Sequence, residues 1–285
     1  MAALPTVRRR MLGAELRKIR EGLAITVDEA ADRLGWHQSK VSRVENGRSG
    51  VRPHEVGTLL DVYEVTDPQT REALATLARD GKRRVWWQPY SDVLSQRYAS
   101  FISFEAEAVA ARNYQTTLIP GLLQTSEYAR AVTRGLQPDT PPDQLDALVS
   151  VRLARQNAAL RRQDPLKLWA IVDEAALHRV MGNEATMIKQ LRHLNEASEE
   201  PNITVQVVPL RAGANAGMLG AFVILEFPIR GDLDVVCTES LTSSLYLEQE
   251  DDLRKYGQAF DLLRAAALDV EPSRDLIAKT AKDLE

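Results

Sequence analysis

The chain has 285 residues, of which 44% are hydrophobic and 27% charged, and its formal net charge is −4. This composition is typical of a folded globular protein and leaves room for one large domain or two of ordinary size. No apolar run approaches the ~20 residues that span a bilayer, the N-terminus lacks the apolar core of a secretory signal, and a single cysteine, Cys237, excludes an intrachain disulfide. We therefore expect a cytoplasmic protein that does not associate with membranes.

Charge is divided unevenly along the chain. Residues 1–84 hold 16 Lys or Arg against 12 Asp or Glu, whereas residues 85–285 hold 20 against 28. Such a division of charge indicates that one of the two parts of the chain binds a polyanion. We expect one domain over residues 1–84 and a second over residues 85–285.

Residues 1–84 have the pattern of five short helices, with apolar residues recurring three and four positions apart. Thr26 and Glu29 have the spacing of a capping box, and Gly35 is suited to end the helix that follows. Pro53 suits the first turn of the fourth helix. The expected helices begin near Arg8, Thr26, Gln38, Pro53 and Gln69.

The second and third helices have the spacing of a helix-turn-helix. Ala31 lies four residues before Gly35, and Val41 lies six after it. A small residue lets two helices cross closely, the glycine opens a sharp turn, and the apolar residue seats the second helix, whose N-terminal end enters the major groove in such motifs. Its outer face would carry side chains able to bond to base edges and phosphates, namely Gln38, Ser39, Ser42 and Arg43.

The stretch VDEAADRLGWHQSKVSRVENGR resembles the XRE-type helix-turn-helix, the class of Cro and lambda repressor, and the resemblance covers residues 12–63. It implies that Gln38, Ser39 and Lys40 read base edges and that Arg43 contacts a base or a phosphate. It also implies a phosphate-binding loop before Pro53. Including the N-cap, the expected DNA-binding residues are His37, Gln38, Ser39, Lys40, Ser42, Arg43, Arg48 and Ser49.

Two positions depart from the pattern of that family. Val27 stands where the family usually has Gln, and His37 replaces a smaller N-cap residue. Glu45 is expected to be structural and to pair with a neighbouring helix. A five-helix protein-binding module with a solvated polar face remains an alternative interpretation.

The segment GKRRVWWQPY, residues 81–90, permits two interpretations. Its basic residues and interleaved aromatic rings could stack on single-stranded nucleic acid. Alternatively, residues 82–84 form an inter-domain linker, and Trp86 and Trp87 dock the second domain.

Residues 85–285 have the pattern of an α+β domain with a mixed sheet of about four strands. The strand-like runs are KLWAIV, ITVQVVPL, GAFVILEF and DVVCTE, separated by helical segments and turn residues. Helical periodicity is expected over residues 93–113, 125–135, 142–163, 174–181, 184–198, 253–267 and 273–284.

Several stretches of this second domain resemble the C-terminal domain of many actinobacterial XRE-family regulators, WhiJ-like regulators among them. They are SFEAEA, IPGLLQTSEYARA, VRLARQ, VDEAAL and VPLRAGANAGMLGAFVILEF. Such regulators are linked to development and antibiotic production. They are often encoded beside a small partner protein in an antitoxin-like arrangement, which the resemblance implies here as well.

One polar cluster of the second domain is a candidate binding site. Arg152, Arg155 and Gln156 share a helix face, and Gln124 follows a Pro-Gly turn. Arginine recognises carboxylate and phosphate groups, so these four residues are expected to bind an anionic ligand or an acidic partner segment. An internal salt-bridge network to Glu105 or Glu174 is the alternative.

We expect no catalytic residues, cofactor or metal. His178 and His193 do not have metal-ligand spacing, and the glycine-rich loop before GAFVILEF lacks the lysine of a P-loop. The expected protein is a homodimeric transcription regulator on a palindromic operator, because one short helix reads too few base pairs alone. An enzyme or nucleotide-binding effector that uses the helix-turn-helix for localisation, and a protein-binding antitoxin, are the alternatives.

Overall fold

The fold is taken from a computed structural model, which describes residues 7–80, 86–227 and 234–285. Within these ranges the chain divides into two compact units. The first contains residues 7–80, 86–88 and 98–107, and the second contains residues 89–97, 108–227 and 234–285. The predicted boundary at residues 84 and 85, and the predicted linker at residues 82–84, lie outside the described residues.

The first unit contains the five helices that the sequence predicts. They are α1 (Val7–Gly22), α2 (Val27–Leu34), α3 (Gln38–Glu45), α4 (Pro53–Val62) and α5 (Pro68–Asp80). Every helix contributes apolar side chains to one buried core, including Leu16, Ala31, Val41, Leu59 and Leu74.

A sixth helix, α6 (Gln96–Glu107), packs on α1 through its C-terminal part, which belongs to the first unit. Arg8 Nε lies 3.0 Å from Glu107 Oε1. The guanidinium of Arg10 lies over the ring of Phe104, 5.2 Å from its centroid. These contacts attach to the helical unit a segment that the sequence pattern assigned to the second domain.

The second unit is built on one mixed sheet. Its strands are β1 (Ala110–Gln115), β2 (Lys167–Asp173), β3 (Ile203–Val208), β4 (Phe222–Glu226), β5 (Val235–Glu239) and β6 (Ser244–Leu247), in the order β3-β2-β1-β4-β5-β6. β1, β2 and β3 are parallel, whereas β4, β5 and β6 pair in antiparallel fashion. The predicted α+β class and mixed sheet are confirmed.

The predicted number of strands was wrong, because the described residues form a sheet of six strands where about four were expected. The helical pattern expected to reach Asn113 ends at Glu107, and the following residues form β1 in the centre of the sheet. β1 contains Ala, Arg, Asn and Gln, which are poor or indifferent strand formers, so its state is determined by pairing with β2 and β4 on either side. β6 has only four residues and therefore gives little alternation.

In the described part of the chain, six α-helices complete the second unit: α7 (Ser126–Leu136), α8 (Pro142–Leu160), α9 (Glu174–His178), α10 (Glu184–Ala197), α11 (Glu250–Ala266) and α12 (Val270–Asp283). Phe260 and Leu263 of α11 pack on Tyr114, Phe222 and Val236 of the sheet. Cys237 is buried in β5.

The outer edge of β3 is covered by the connection between α11 and α12 and by the first turn of α12. Leu268 N donates to Val207 O (2.8 Å), and Val207 N donates to Ser273 Oγ (3.0 Å). Gln206 Nε2 donates to Leu268 O (2.9 Å). This edge of the sheet is therefore bonded to the chain's own C-terminal segment.

Candidate nucleic-acid interface

The connection between α2 and α3 has the geometry of a helix-turn-helix. Glu29 Oε2 accepts from Thr26 N, and Thr26 Oγ1 accepts from Glu29 N, so the predicted capping box is present. Gly35 ends α2 at φ +63°, a conformation that glycine adopts at least cost. Trp36 N then donates to a carbonyl of α2 (2.9 Å), and α3 begins two residues later at Gln38.

α3 has one buried face and one exposed face. Val41, Val44 and Glu45 are buried. Ser42 is half-buried, and the exposed predicted residues of the turn and helix are His37, Gln38, Ser39 and Arg43. The exposed polar side chains at the start of α3 occupy the part of a helix-turn-helix that contacts base edges.

α1 holds α3 in place through an ion pair. Arg20 Nε and Nη2 donate to the two carboxylate oxygens of Glu45 at 2.7 and 2.9 Å, and Arg20 Nη1 donates to Ile25 O at 2.7 Å. Tyr63 Oη donates to Glu45 Oε1 (3.4 Å). Hydrogen bonding to Glu45 raises the pKa of Arg20, and burial raises the pKa of Tyr63. The predicted pairing of Glu45 with a neighbouring helix is confirmed.

The loop between α3 and α4 presents cationic and polar groups beside a helix N-terminus. Arg48 is exposed and Ser49 is half-buried, and Ser49 N donates to Arg43 O (3.0 Å). Arg52, which was not predicted as a site residue, is exposed at the N-cap of α4. A shallow cavity of about 290 Å³ is lined in part by Arg9, Ser49 and Arg52. Helix N-termini and guanidinium groups both attract phosphates.

Lys40 differs from its neighbours because its charge is already paired. Its Nζ donates to Glu55 Oε1 on α4 (2.7 Å) and lies 3.6 Å from the ring centroid of Trp36. The other Glu55 oxygen accepts from Arg52 N (2.8 Å). The Lys40 ammonium and, after it, the Arg52 backbone N–H hold the pKa of Glu55 below its ordinary value. The structure thus links α3 to α4 through Trp36 and Glu55, neither of which was singled out in the sequence.

The four predicted residues of the second domain come together around the turn at Gly121. Arg152 Nη1 donates to Gln124 Oε1 (2.6 Å), and Gln124 Nε2 donates to Ile119 O (2.7 Å). Gln156 Nε2 donates to the carbonyls of Gly121 (3.1 Å) and Gln124 (2.7 Å).

Packing at this turn leaves the glycine little room. A side chain on Gly121 would lie 3.2 Å from Arg155 Nη1. Gln124 is 2% exposed and Arg155 is 6% exposed. The turn is therefore fastened to α8 from inside the unit.

Gln190 on α10 completes this turn and was missed in the sequence. Its Oε1 accepts from Thr125 N and its Nε2 donates to Leu123 O, both at 2.7 Å, and the side chain is fully buried. The sequence contained a signal, because Gln190 shares the apolar face of α10 with Met187, Leu191 and Leu194. A polar side chain on such a face needs a buried partner.

Glu174, one of two residues named for an internal salt-bridge network, has other partners. Its Oε2 accepts from Leu210 N (2.7 Å), and its Oε1 lies 3.4 Å from His178 Nε2.

Tyr114 is buried beneath Gly217, and burial together with Asp173 raises the pKa of Tyr114 to about 12. Among the described residues, no cluster of three His, Cys, Asp or Glu side chains could hold a metal ion.

The geometry of the first unit defines a helix-turn-helix protein, and comparison with known families agrees. A family model described as "Helix-turn-helix domain" matches residues 11–74. A second model, "Domain of unknown function (DUF5753)", matches residues 98–279, and the chain belongs to this family. No curated protein and no solved structure matches the chain. Across the described ranges, no helix has the length and apolar character needed to cross a membrane.

Proposed function

We propose that this protein is a sequence-specific DNA-binding transcription regulator of the XRE-like class, with α3 as its recognition helix. The observation that carries the proposal is the exposure of Gln38 and Ser39 at the start of α3, the second helix of a helix-turn-helix. Amide and hydroxyl groups there can bond to base edges in the major groove. The exposed guanidinium groups of Arg43, Arg48 and Arg52 supply the cations that phosphates require.

The second unit is proposed to hold a homodimer, so that two recognition helices read a palindromic operator. One α3 of eight residues reads only a few base pairs, and a two-fold dimer doubles the site. A cytoplasmic location follows from access to the chromosome. The resemblance to WhiJ-like regulators supports this assignment.

We further propose that the second unit receives a small partner protein or an anionic ligand. Arg152, which is half-buried, supports this, because a guanidinium group can bind an acidic group bidentately. Arg155 is 6% exposed and would act from behind the turn. Gln124 and Gln156 would then act indirectly, by holding the turn at Gly121 through the hydrogen bonds described above.

The recognition helix is tested in two steps. Chromatin immunoprecipitation of the full chain identifies operator sequences, and binding of purified variants to one operator follows. Replacing Gln38 by Ala should cost about 1–3 kcal/mol on that operator and relax preference at one or two base pairs. Gln69→Ala, which removes an exposed glutamine of α5, is the matched control. Unchanged discrimination by Gln38→Ala would show that α3 is not the reader.

The proposal assigns no catalytic role to the chain. An enzyme or nucleotide-binding effector would convert or retain a nucleotide added to the purified protein. A protein-binding antitoxin would bind its partner without preferring any DNA sequence. Either result would replace the proposed function.

A further inference from the structure

The pairing of Lys40 alters the set of residues that can read DNA. Lys40 follows the exposed Ser39 on α3 and precedes the buried Val41. Its side chain is only 35% exposed, and that of Glu55 only 23%. The ammonium is bonded to Glu55 and lies over Trp36, so a carboxylate and an aromatic ring both hold it. A cation over an aromatic face gains further attraction beyond the ion pair.

Glu55 is an acidic residue in a place where a DNA-binding surface favours cations. Its second oxygen accepts from Arg52 N at the start of α4, beside the exposed Arg52 side chain. This helix end is where the proposed function expects a DNA phosphate. A phosphate bound there would repel an unpaired Glu55 carboxylate, and more strongly where water is excluded. Lys40 cancels the charge of Glu55.

Moving the Lys40 side chain onto a base would therefore lose favourable interaction energy in two ways. The ammonium would leave its carboxylate and ring, and Glu55 would be left unpaired beside the phosphates. Gln38 and Ser39 form no comparable ion pair or ring contact, and both are exposed at the N-terminal end of α3.

We propose that Lys40 remains on Glu55 in the DNA complex and is a positioning residue that neutralises Glu55 and fixes α3 against α4. Base reading then belongs to Gln38 and Ser39. This inference rests on the proposed function, and it reverses the role in base reading that the XRE-type resemblance implies for Lys40.

The test uses the full chain carrying Lys40→Met, Glu55→Gln, or both, together with Lys40→Arg. Binding is measured on the operator, on its single-base variants and on unrelated DNA, at several salt concentrations. Lys18→Met, which removes an exposed lysine of α1, is the matched loss of charge. Thermal melts identify any variant that fails to fold.

Lys40→Met should weaken binding to all sequences alike, by about tenfold, because it exposes the charge of Glu55 to the phosphates. The added Glu55→Gln change should restore binding to within about threefold of the parent, since the repelling charge is gone. Lys40→Arg should behave as the parent, because a guanidinium can bond to Glu55 and stack on Trp36. The order of preference among operator variants should not change in any of them.

Relaxed preference at one base pair in Lys40→Met, without rescue by Glu55→Gln, would show that Lys40 reads a base and would overturn the inference. If Lys40→Met does not fold, the same comparison of affinities among operator variants is made with Lys40→Met/Glu55→Gln and with Lys40→Arg. Relaxed preference at one base pair in either variant would then overturn the inference. If the parent protein prefers no sequence, the proposed function itself fails, and the inference falls with it. Whether the parent protein prefers a DNA sequence therefore distinguishes failure of the proposed function from failure of this inference alone.

Discussion

At the scale of single residues, α3 depends most directly on the ion pair between Arg20 and Glu45. Both carboxylate oxygens of Glu45 are bonded to Arg20, and both side chains are buried in the helical unit. Without Glu45, the Arg20 guanidinium would keep its hydrogen bond to Ile25 O and a 3.5 Å contact with the exposed carboxylate of Glu21, but it would lose its buried, doubly bonded counter-charge. Removing one partner of a buried ion pair leaves an uncompensated charge, which is far costlier than losing an exposed pair.

Replacing Glu45 by Ala should lower the free energy of unfolding by about 3–5 kcal/mol. Chemical denaturation followed by circular dichroism measures the loss. Glu72→Ala serves as control, because Glu72 forms an exposed ion pair with Arg79 and should cost no more than about 1 kcal/mol. Similar small losses in both variants would mean that the buried pair does not stabilise α3.

The sequence predicts those contacts of the interface whose residues lie close together along the chain. The exposed face of α3 follows from Val41 and Val44, because positions three apart share one side of a helix. The partner of Lys40 could not be found in this way, since Glu55 lies on another helix and only folding brings it near. The roles of the predicted DNA contacts remain predictions, and the binding experiments above test them.

At the scale of elements, the approach of α1 to α3 requires a residue without a side chain. A methyl group on Gly13 would overlap the carbonyl oxygens of Val44 and Glu45, 2.5 Å from the former. Both obstructing atoms belong to the backbone of α3, so a substitution must move one helix away from the other. The position of the recognition helix is therefore sensitive to a residue that would not itself contact DNA.

Gly13→Ala should destabilise the protein by about 1–3 kcal/mol, the usual cost of overpacking. The melting temperature should fall, and operator affinity should fall with it because α3 is displaced. Gly57→Ala in α4 provides the comparison, since a side chain there meets nothing within 4 Å. It should stabilise the helix slightly. A rise in melting temperature for Gly13→Ala would contradict the close approach of α1 and α3.

The elements that the sequence failed to predict are those whose state depends on distant partners. The five helices of the first unit were predicted because caps, glycines and apolar spacing act within one helix. β2 to β5 were predicted because their residues favour strands. β1 was predicted as helix, since nothing local in AARNYQ signals that it will lie between β2 and β4.

At the scale of the whole molecule, the first unit is proposed to contact DNA and the second to form the homodimer. Residues 1–84 carry the basic excess, so two copies of this part of the chain gain little from contacting each other. The second unit holds most of the chain and so offers more surface for a stable interface, which commonly buries about 800 Å² per partner.

The full chain should sediment as a dimer, whereas a fragment that ends after Glu107 should sediment as a monomer at the same concentration. This end point keeps α6, which packs on α1. The fragment should bind half-sites weakly, because it presents a single recognition helix. A dimeric fragment in analytical ultracentrifugation would assign association to the first unit instead.

The covering of β3 by the C-terminal segment also bears on the solubility of the protein. A strand edge with free N–H and C=O groups is a template on which other chains add as strands. Leu268 and Ser273 occupy these groups on Val207 and so prevent such growth on that side of the sheet. Removing the residues from Leu268 onward would open the edge, and the first consequence would be aggregation, before any change in DNA recognition. We therefore expect Leu268 and the first turn of α12 to keep the sheet from growing between molecules.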